Sequence, residues 1–326
     1  MALHPALAAV RAGVRRVLAD LDPGSTVMVA CSGGADSLAL LSATVFEGHK
    51  EALKVIGVTV DHGLQEGSSE RAAAVADQMR ALGVGESAVA TVTVEARGMG
   101  PEAAAREARY SVLGELAERF GAPVVLLGHT RDDQAETVLL GLSRGSGARS
   151  LSGMRAGFDR FRRPLLGVTR ADTETACMVE GIEWWSDPHN SDPRFTRSRV
   201  RSVVMPMLEQ ELGPGVVEAL ARTADLLRED AEALDNLTDR QLHELRTDQG
   251  VRVAGLAALD DAVKHRVIRR AAIDAGAIAT ELTRAHVLAV ATVVLGQDGG
   301  KEVQLPGHVT AYRAGGLLRF RATVVE

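Results

Sequence analysis

Thr26-Val27-Met28-Val29-Ala30-Cys31-Ser32-Gly33-Gly34-Ala35-Asp36-Ser37-Leu38-Ala39-Leu40-Leu41 is the stretch that decides the fold. The run from Thr26 to Cys31, a glycine pair and then a second apolar pattern read as strand, tight loop and helix. Gly33 and Gly34 let the backbone take positive φ and approach a ligand closely. Ser32 and Ser37 add hydroxyls, and the helix behind the loop offers free N–H groups and the positive end of its dipole. The combination is an anion cradle suited to phosphate. A Walker loop would need Gly-x-x-x-x-Gly-Lys-Ser/Thr, its lysine reaching the β- and γ-phosphates. The nearest lysine here is Lys50. A plain glycine turn would not require this Ser and Asp spacing.

Outward from the loop, strand candidates at Val27–Cys31, Val55–Val60, Val89–Val94 and Val124–Leu127 alternate with helical patterns at Ser37–Phe46, Ser69–Leu82 and Glu102–Phe120. Near-continuous Val/Ile/Leu strands separated by helices predict an α/β fold, a doubly wound parallel sheet covered on both faces. Ligands in such sheets sit beyond the carboxyl ends of the strands. Asp36, Asp61-His62 and His129 each follow a strand candidate, so they should meet at one rim. From Gly213 the pattern changes. Val216–Leu245, Ala262–Ala275 and Arg284–Leu295 read as helices, and Val303–Leu305, Val309–Arg313 and Leu317–Arg321 as short strands around Pro306-Gly307 and Gly315-Gly316 turns. The expected division is a nucleotide-binding domain over 1–212 and a smaller, mainly helical domain over 213–326.

A length of 326 residues accommodates two domains with their own cores. No run approaches the ~20 apolar residues of a membrane span. Arg11, Arg15 and Arg16 are spread along an Ala/Leu/Val helix pattern without a compact apolar signal core, so the expected location is cytoplasmic. Cys31 and Cys177 are too few for a disulfide framework and form no Cys-x-x-Cys; they read as small buried hydrophobes. A net charge of −6 argues against a protein that coats nucleic acid. Yet residues 144–201 carry 11 arginines against 7 acids, a basic window directly after the nucleotide-binding pattern. One such patch can dock a polyanion.

Asp36 lies inside the loop, where a carboxylate facing phosphate needs a cation between them. Magnesium suits, as a hard ion held by one or two carboxylates plus phosphate oxygens. An N-capping role, worth roughly 0.5–2 kcal/mol, is compatible with it. Gly128-His129-Thr130-Arg131-Asp132-Asp133-Gln134-Ala135-Glu136-Thr137 opens a helix after the fourth strand. Asp132 and Glu136 are four apart and Asp133 and Glu136 three apart, grouping carboxylates on one face. Such a cluster exceeds the needs of the helix dipole and suits a second metal or an ammonium substrate. Arg106 and Arg109 share a helix face; Glu102 offers Arg106 an ordinary surface pair, which leaves Arg109 the better candidate for a phosphate or adenylate contact. Asp61 suits either a ribose or a turn cap. Trp184 and Trp185 are the only tryptophans, with core packing expected of at least one and base stacking as the alternative.

Taken together these residues resemble the tRNA(Ile)-lysidine synthetase family of PP-loop ATP pyrophosphatases. Ser32-Gly33-Gly34-Ala35-Asp36-Ser37 matches the PP-loop pattern. Leu142-Ser143-Arg144-Gly145-Ser146-Gly147, Gly153-Met154, Arg163-Pro164-Leu165-Leu166 and the segment from Asn190-Ser191-Asp192 to Arg197-Ser198-Arg199-Val200-Arg201 follow in the family's order. The resemblance implies that ATP adenylates the wobble cytidine of an isoleucine tRNA with a CAU anticodon, and that free L-lysine then displaces AMP. Adenylation splits one hard displacement into two easier ones. It further implies that Ser32, Gly33, Gly34, Ala35 and Ser37 bind ATP with Asp61, His62, Arg106 and Arg109, and that Asp36 holds Mg2+. Asp132, Asp133 and Glu136 would orient lysine, His129 would assist nucleotide binding or proton handling, and Arg144, Arg197, Arg199 and Arg201 would contact tRNA. The C-terminal domain would bind tRNA, and a homodimer is left open. Ser198, Val200 and Gln65 depart from the family's commoner Asn, Ile and Arg, which touches RNA contacts rather than the nucleotide loop. A tRNA thiolase would need paired reactive thiols, which this chain lacks. A small-molecule amide ligase has less use for the basic window, and a non-catalytic nucleotide sensor has none for the extra carboxylates.

Overall fold

A computed structural model describes residues 3–61, 63, 67–92, 101–145, 147–187, 192–296 and 301–323, without the side chains of 101–103. The chain divides into two compact units, Met1–Leu226 and Leu227–Glu326. In the first, α1 (Pro5–Leu18), β1 (Thr26–Ala30), α2 (Ala35–Lys50), β2 (Lys54–Asp61), α3 (Ser68–Ala81), β3 (Glu86–Thr91), α4 (Pro101–Arg119) and β4 (Val124–Leu127) alternate as the hydrophobic pattern predicts, except that β3 starts three residues before the expected Val89 and ends at Thr91. Then come α5 (Arg131–Ser143), the single turn α6 (Ala148–Leu151), the hairpin β5 (Gly157–Phe158) and β6 (Phe161–Arg162), and α7 (Arg170–Glu180). α8 (Thr196–Arg199) continues through a π turn, Val200–Val204, into α9 (Met205–Leu212). α10 (Val216–Leu245) begins in this unit and runs into the second.

The sheet runs β3-β2-β1-β4-β6-β5, parallel except for the edge strand β5. Successive side chains of its central strands point to opposite faces, and both faces are buried. Val27, Val29, Val124 and Leu126 join the core with α1, α2, α3 and α7; Met28, Val125 and Leu127 join the other with Leu113 and Ala117 of α4. From β1 the chain moves one way through β2 to β3, then crosses back to place β4 on the other side of β1. The crevice beyond the carboxyl ends of β1 and β4 is therefore the topological switch point, where this class of sheet binds ligands.

The second unit adds β7 (Arg246–Thr247), β8 (Gly250–Arg252), α11 (Val253–Ala258), α12 (Asp261–Asp274), α13 (Arg284–Leu295), β9 (Glu302–Leu305), β10 (Val309–Ala314) and β11 (Leu317–Ala322). Its antiparallel sheet, β7-β8-β11-β10-β9, packs Ala311 and Leu318 against Val267, Ile268, Val290 and Val294. The β7–β8 hairpin was not expected from the sequence, because Arg246-Thr247-Asp248-Gln249 lacks an apolar strand pattern.

Candidate active site

The cradle is held open by glycine and closed by serine. Gly33 has φ +84°, and a Cβ there would lie 2.6 Å from Val75 Cγ2. The Ser37 hydroxyl donates to Gly34 O at 2.9 Å and accepts from the Ser32 N–H at 3.1 Å, so the loop folds around it. Gly34 is the N-cap of α2 and Ala35 its first residue, buried behind the loop. A Cβ on Gly128, at the end of β4, would lie 3.1 Å from Asp36 O and Ser37 N. A side chain there would force the backbone of the first loop to give by a few tenths of an ångström, so glycine favours this close approach. Asp61 is buried at the end of β2 and accepts from the Gly63 N–H at 2.9 Å, the turn-capping arrangement. His62, Gln65, Ser146, Asn190 and Ser191 lie outside the described residues.

The first turn of α7 ties the cradle to α5. Asp36 Oδ1 accepts a hydrogen bond from Thr173 Oγ1, and Arg170 Nε lies 3.6 Å from Asp36 Oδ2. Burial pushes the Asp36 carboxyl up to about 6 despite Arg170 and Thr173. The same Arg170 reaches Asp133 Oδ1 at 3.2 Å and Glu136 Oε1 at 3.5 Å. Two more guanidiniums converge there. Arg197 Nε contacts Glu136 Oε2 at 2.9 Å; Arg201 Nε contacts Glu136 Oε1 at 2.7 Å, and its Nη2 contacts Asp133 Oδ1 at 3.1 Å. The Glu136 side chain is 2% exposed, and a buried carboxylate requires such partners. Asp133 also accepts from the Thr130 N–H at 2.9 Å, closing the capping box that starts α5. Burial alone would raise its pKa, but Arg170 and Arg197 hold it below the ordinary value. Asp132 Oδ2 instead accepts from the backbone N–H of Arg170 at 2.8 Å. The three clustered carboxylates thus divide: Asp132 holds backbone, Glu136 holds guanidiniums and Asp133 holds both.

Arg170 and Thr173 were missed in the sequence, although a signal existed. Thr169-Arg170-Ala171-Asp172 is a capping-box pattern, and an arginine in a first helical turn opposes the helix dipole. A cation placed there points to an anionic partner elsewhere in the chain.

His129 Nδ1 is buried with no partner among the described residues. Burial pushes the imidazole down to about 3; Asp133 opposes this, while Arg163, Arg109 and Arg197 add to it. Burial likewise holds the Arg109 guanidinium below its ordinary value. Arg106 is exposed and donates to Tyr110 Oη at 3.4 Å. The side chain of Glu102, its expected partner, is not among those described. Arg144 is exposed at the C-cap of α5, and the exposed Arg199 donates to Pro193 O at 2.6 Å. The basic segment therefore splits: Arg197 and Arg201 turn to the acidic helix, Arg144 and Arg199 to solvent. Trp184 packs against the core. The Trp185 N–H donates to Gly33 O at 3.1 Å, and its ring lies 3.2 Å from the Arg71 guanidinium carbon.

Both thiols are buried, and burial raises them, Cys177 to about 12, so neither is poised as a nucleophile. Among the described residues no group of three or more His, Cys, Asp or Glu is placed to hold a metal. Asp36 is a single hard oxygen donor beside an anion cradle, which fits Mg2+ shared with phosphate oxygens. Among the described residues no helix is long and apolar enough to cross a membrane.

Comparison with known proteins follows the same two-part organisation. A PP-loop domain family matches residues 8–208, and a TilS substrate binding domain family matches residues 252–324. The tRNA(Ile)-lysidine synthase of Thermobifida fusca is 53% identical over 304 residues, covering 93% of this chain and 94% of that one. The tRNA(Ile)-lysidine synthase of Streptomyces coelicolor is 49% identical over 351 residues, covering 98% and 99%. A solved structure of the U34-tRNA thiolase NcsA from Methanococcus maripaludis with its [4Fe-4S] cluster superposes with a TM-score of 0.57 at 18% identity, over 68% of this chain and 80% of that one. At that identity the likeness is one of fold.

Proposed function

The chain belongs to the tRNA(Ile)-lysidine synthase family, and from that membership we propose how its residues divide an ATP-dependent carbon–nitrogen ligation on tRNA. In the first step the ring carbonyl oxygen of the wobble cytidine attacks the α-phosphorus of ATP, and pyrophosphate leaves. In the second, the side-chain amine of L-lysine attacks the activated ring carbon, the C–O bond breaks, AMP leaves and the amine gives up a proton. Ser32, Gly33, Gly34, Ala35 and Ser37 receive the departing pyrophosphate at the N-terminus of α2. Asp36 would hold Mg2+, which supplies charge neutralisation for the polyphosphate when bound. Arg109, Asp61, His62 and Arg106 would bind the nucleotide. Asp132, Asp133 and Glu136 form the seat of the lysine ammonium. His129, held neutral by burial, orients a bound group rather than removing the amine proton, since an imidazole pushed down to about 3 is a poor base at neutral pH. Arg144 and Arg199, both exposed, serve the tRNA, with the C-terminal unit as a further surface for it, whereas Arg197 and Arg201 are engaged by Asp133 and Glu136 and shape the site instead. Two buried, unpaired thiols agree with a cytoplasmic setting.

One observation carries this reading. The phosphate cradle and the carboxylate-opened helix α5 meet at the switch point of the sheet, with Gly128 against Asp36 and Ser37. Incubation with α-labelled ATP, labelled lysine and CAU-bearing isoleucine tRNA should give AMP and lysine-bearing RNA in equal amounts. Release of ADP and orthophosphate, or RNA without lysine, would overturn the assignment.

A further inference from the structure

We propose that Arg170 is a positioning residue that couples lysine binding to nucleotide binding, an inference that rests on the reading of Asp133 and Glu136 as the lysine seat. Three carboxylates, Asp36, Asp133 and Glu136, are met by three guanidiniums, Arg170, Arg197 and Arg201. Among the described residues, the ion pairs of Arg197 and Arg201 are made with the α5 pair. Among the described residues Arg170 is the one of the three that also forms an ion pair with Asp36, at the rim of the phosphate cradle, while Arg201 acts on Asp36 only through longer-range attraction. The seat is therefore electrically satisfied before any substrate arrives. With Glu136 2% and Asp133 11% exposed at the side chain, water cannot take over the role of a departing cation.

An ammonium entering alone must compete with a guanidinium for a carboxylate it cannot reach without displacing it. A polyphosphate in the cradle changes that balance. It presents several negative charges beside Asp36, and Arg170 is the cation placed to turn toward them. Its main chain need not move. Asp132 holds the Arg170 N–H at 2.8 Å, and Thr169 Oγ1 donates to Asp172 Oδ2 at 2.6 Å, so the first turn of α7 is pinned and the guanidinium can exchange its carboxylate partners for phosphate by side-chain rotation alone. Once it swings, Asp133 and Glu136 lose one counter-charge, and the lysine ammonium restores it. Binding free energies are reciprocal, so lysine must tighten nucleotide by the same factor.

The test is lysine affinity measured calorimetrically with and without α,β-methylene-ATP, whose α–β bridge cannot be cleaved. In the native protein the analogue should tighten lysine at least tenfold, about 1.4 kcal/mol of coupling. In Arg170→Gln, lysine alone should bind at least threefold tighter than to the native protein, and the analogue should add less than threefold. Arg170→Lys, which keeps the charge, should retain most of the tenfold effect, and it carries the test if the Gln variant does not fold. A purely structural Arg170 would weaken both ligands and leave their ratio unchanged; that result, or equal lysine affinity with and without analogue in the native protein, overturns the proposal. Failure of lysine to bind the native protein even with analogue would instead remove the lysine seat itself, and the coupling with it.

Discussion

Glu136 is 2% exposed at the side chain and is met by three arginines. Removing one partner of a lone buried pair costs about 3–5 kcal/mol. Because Arg170 and Arg197 remain, Arg201→Gln should cost less, roughly 1–3 kcal/mol in urea denaturation. Two other groups should set the acid response of folding, with opposite signs. His129 is pushed down to about 3, below its unfolded value, so its contribution is present above pH 6.5 and is lost as pH falls toward 3. His129→Gln should therefore lose less stability between pH 7 and pH 5 than the native protein, read from urea midpoints. Asp36 is pushed up to about 6, so its contribution is present below the ordinary carboxylate range and is lost as pH rises through 6. Asp36→Asn should accordingly gain stability at pH 7.5 while AMP formation falls at least a hundredfold, an order typical of losing one preorganised electrostatic group.

At the scale of elements, α5 is held to the chain after α6 by a two-way bond. Gln134 Nε2 donates to Met154 O at 3.1 Å, and the Met154 N–H donates to Gln134 Oε1 at 2.6 Å. Gly153 makes this approach feasible: its φ is +60°, and a Cβ there would lie 2.5 Å from Gln134 Oε1. Gly153→Ala should thus destabilise by about 1–3 kcal/mol in chemical denaturation, with the far-UV spectrum unchanged. Elements whose signal is local were legible in the sequence: β4 and α13 match their predicted spans, and β1 and β2 differ by a residue at each end. The helix from Thr196 to Leu212 was not. Pro206 has no N–H to give, and the Met205 N–H bonds to Val200 O, five residues back, so a π turn precedes the proline and no simple 3.6-residue stripe results. The candidate site was legible where residues cluster in sequence, as at Ser32–Ser37 and His129–Glu136. It was illegible where partners come from distant helices, because spacing reveals neighbours on one helix and says nothing of Arg170 meeting Asp36 and Asp133.

Across the whole molecule, the basic window of residues 144–201 is less available than its composition suggests. Arg163 is buried on Arg155 O and Tyr110 Oη, and Arg170, Arg197 and Arg201 are held by α5. Arg144, Arg149, Arg155, Arg194 and Arg199 remain at the surface. Arg144→Ala or Arg199→Ala should each lower the salt dependence of tRNA binding by about 0.7–0.9 in log–log slope, one phosphate contact apiece. An unchanged slope in filter binding from 50 to 200 mM salt would place the contact elsewhere. One feature of the cradle gives a direct way to watch it work. Trp185 grips the Gly33 carbonyl through its main chain while its indole lies against Arg71, and Trp184 is the chain's one other indole. Intrinsic indole emission is thus a built-in reporter of loop occupancy. ATP should quench or shift it, and Trp185→Phe should abolish that optical response.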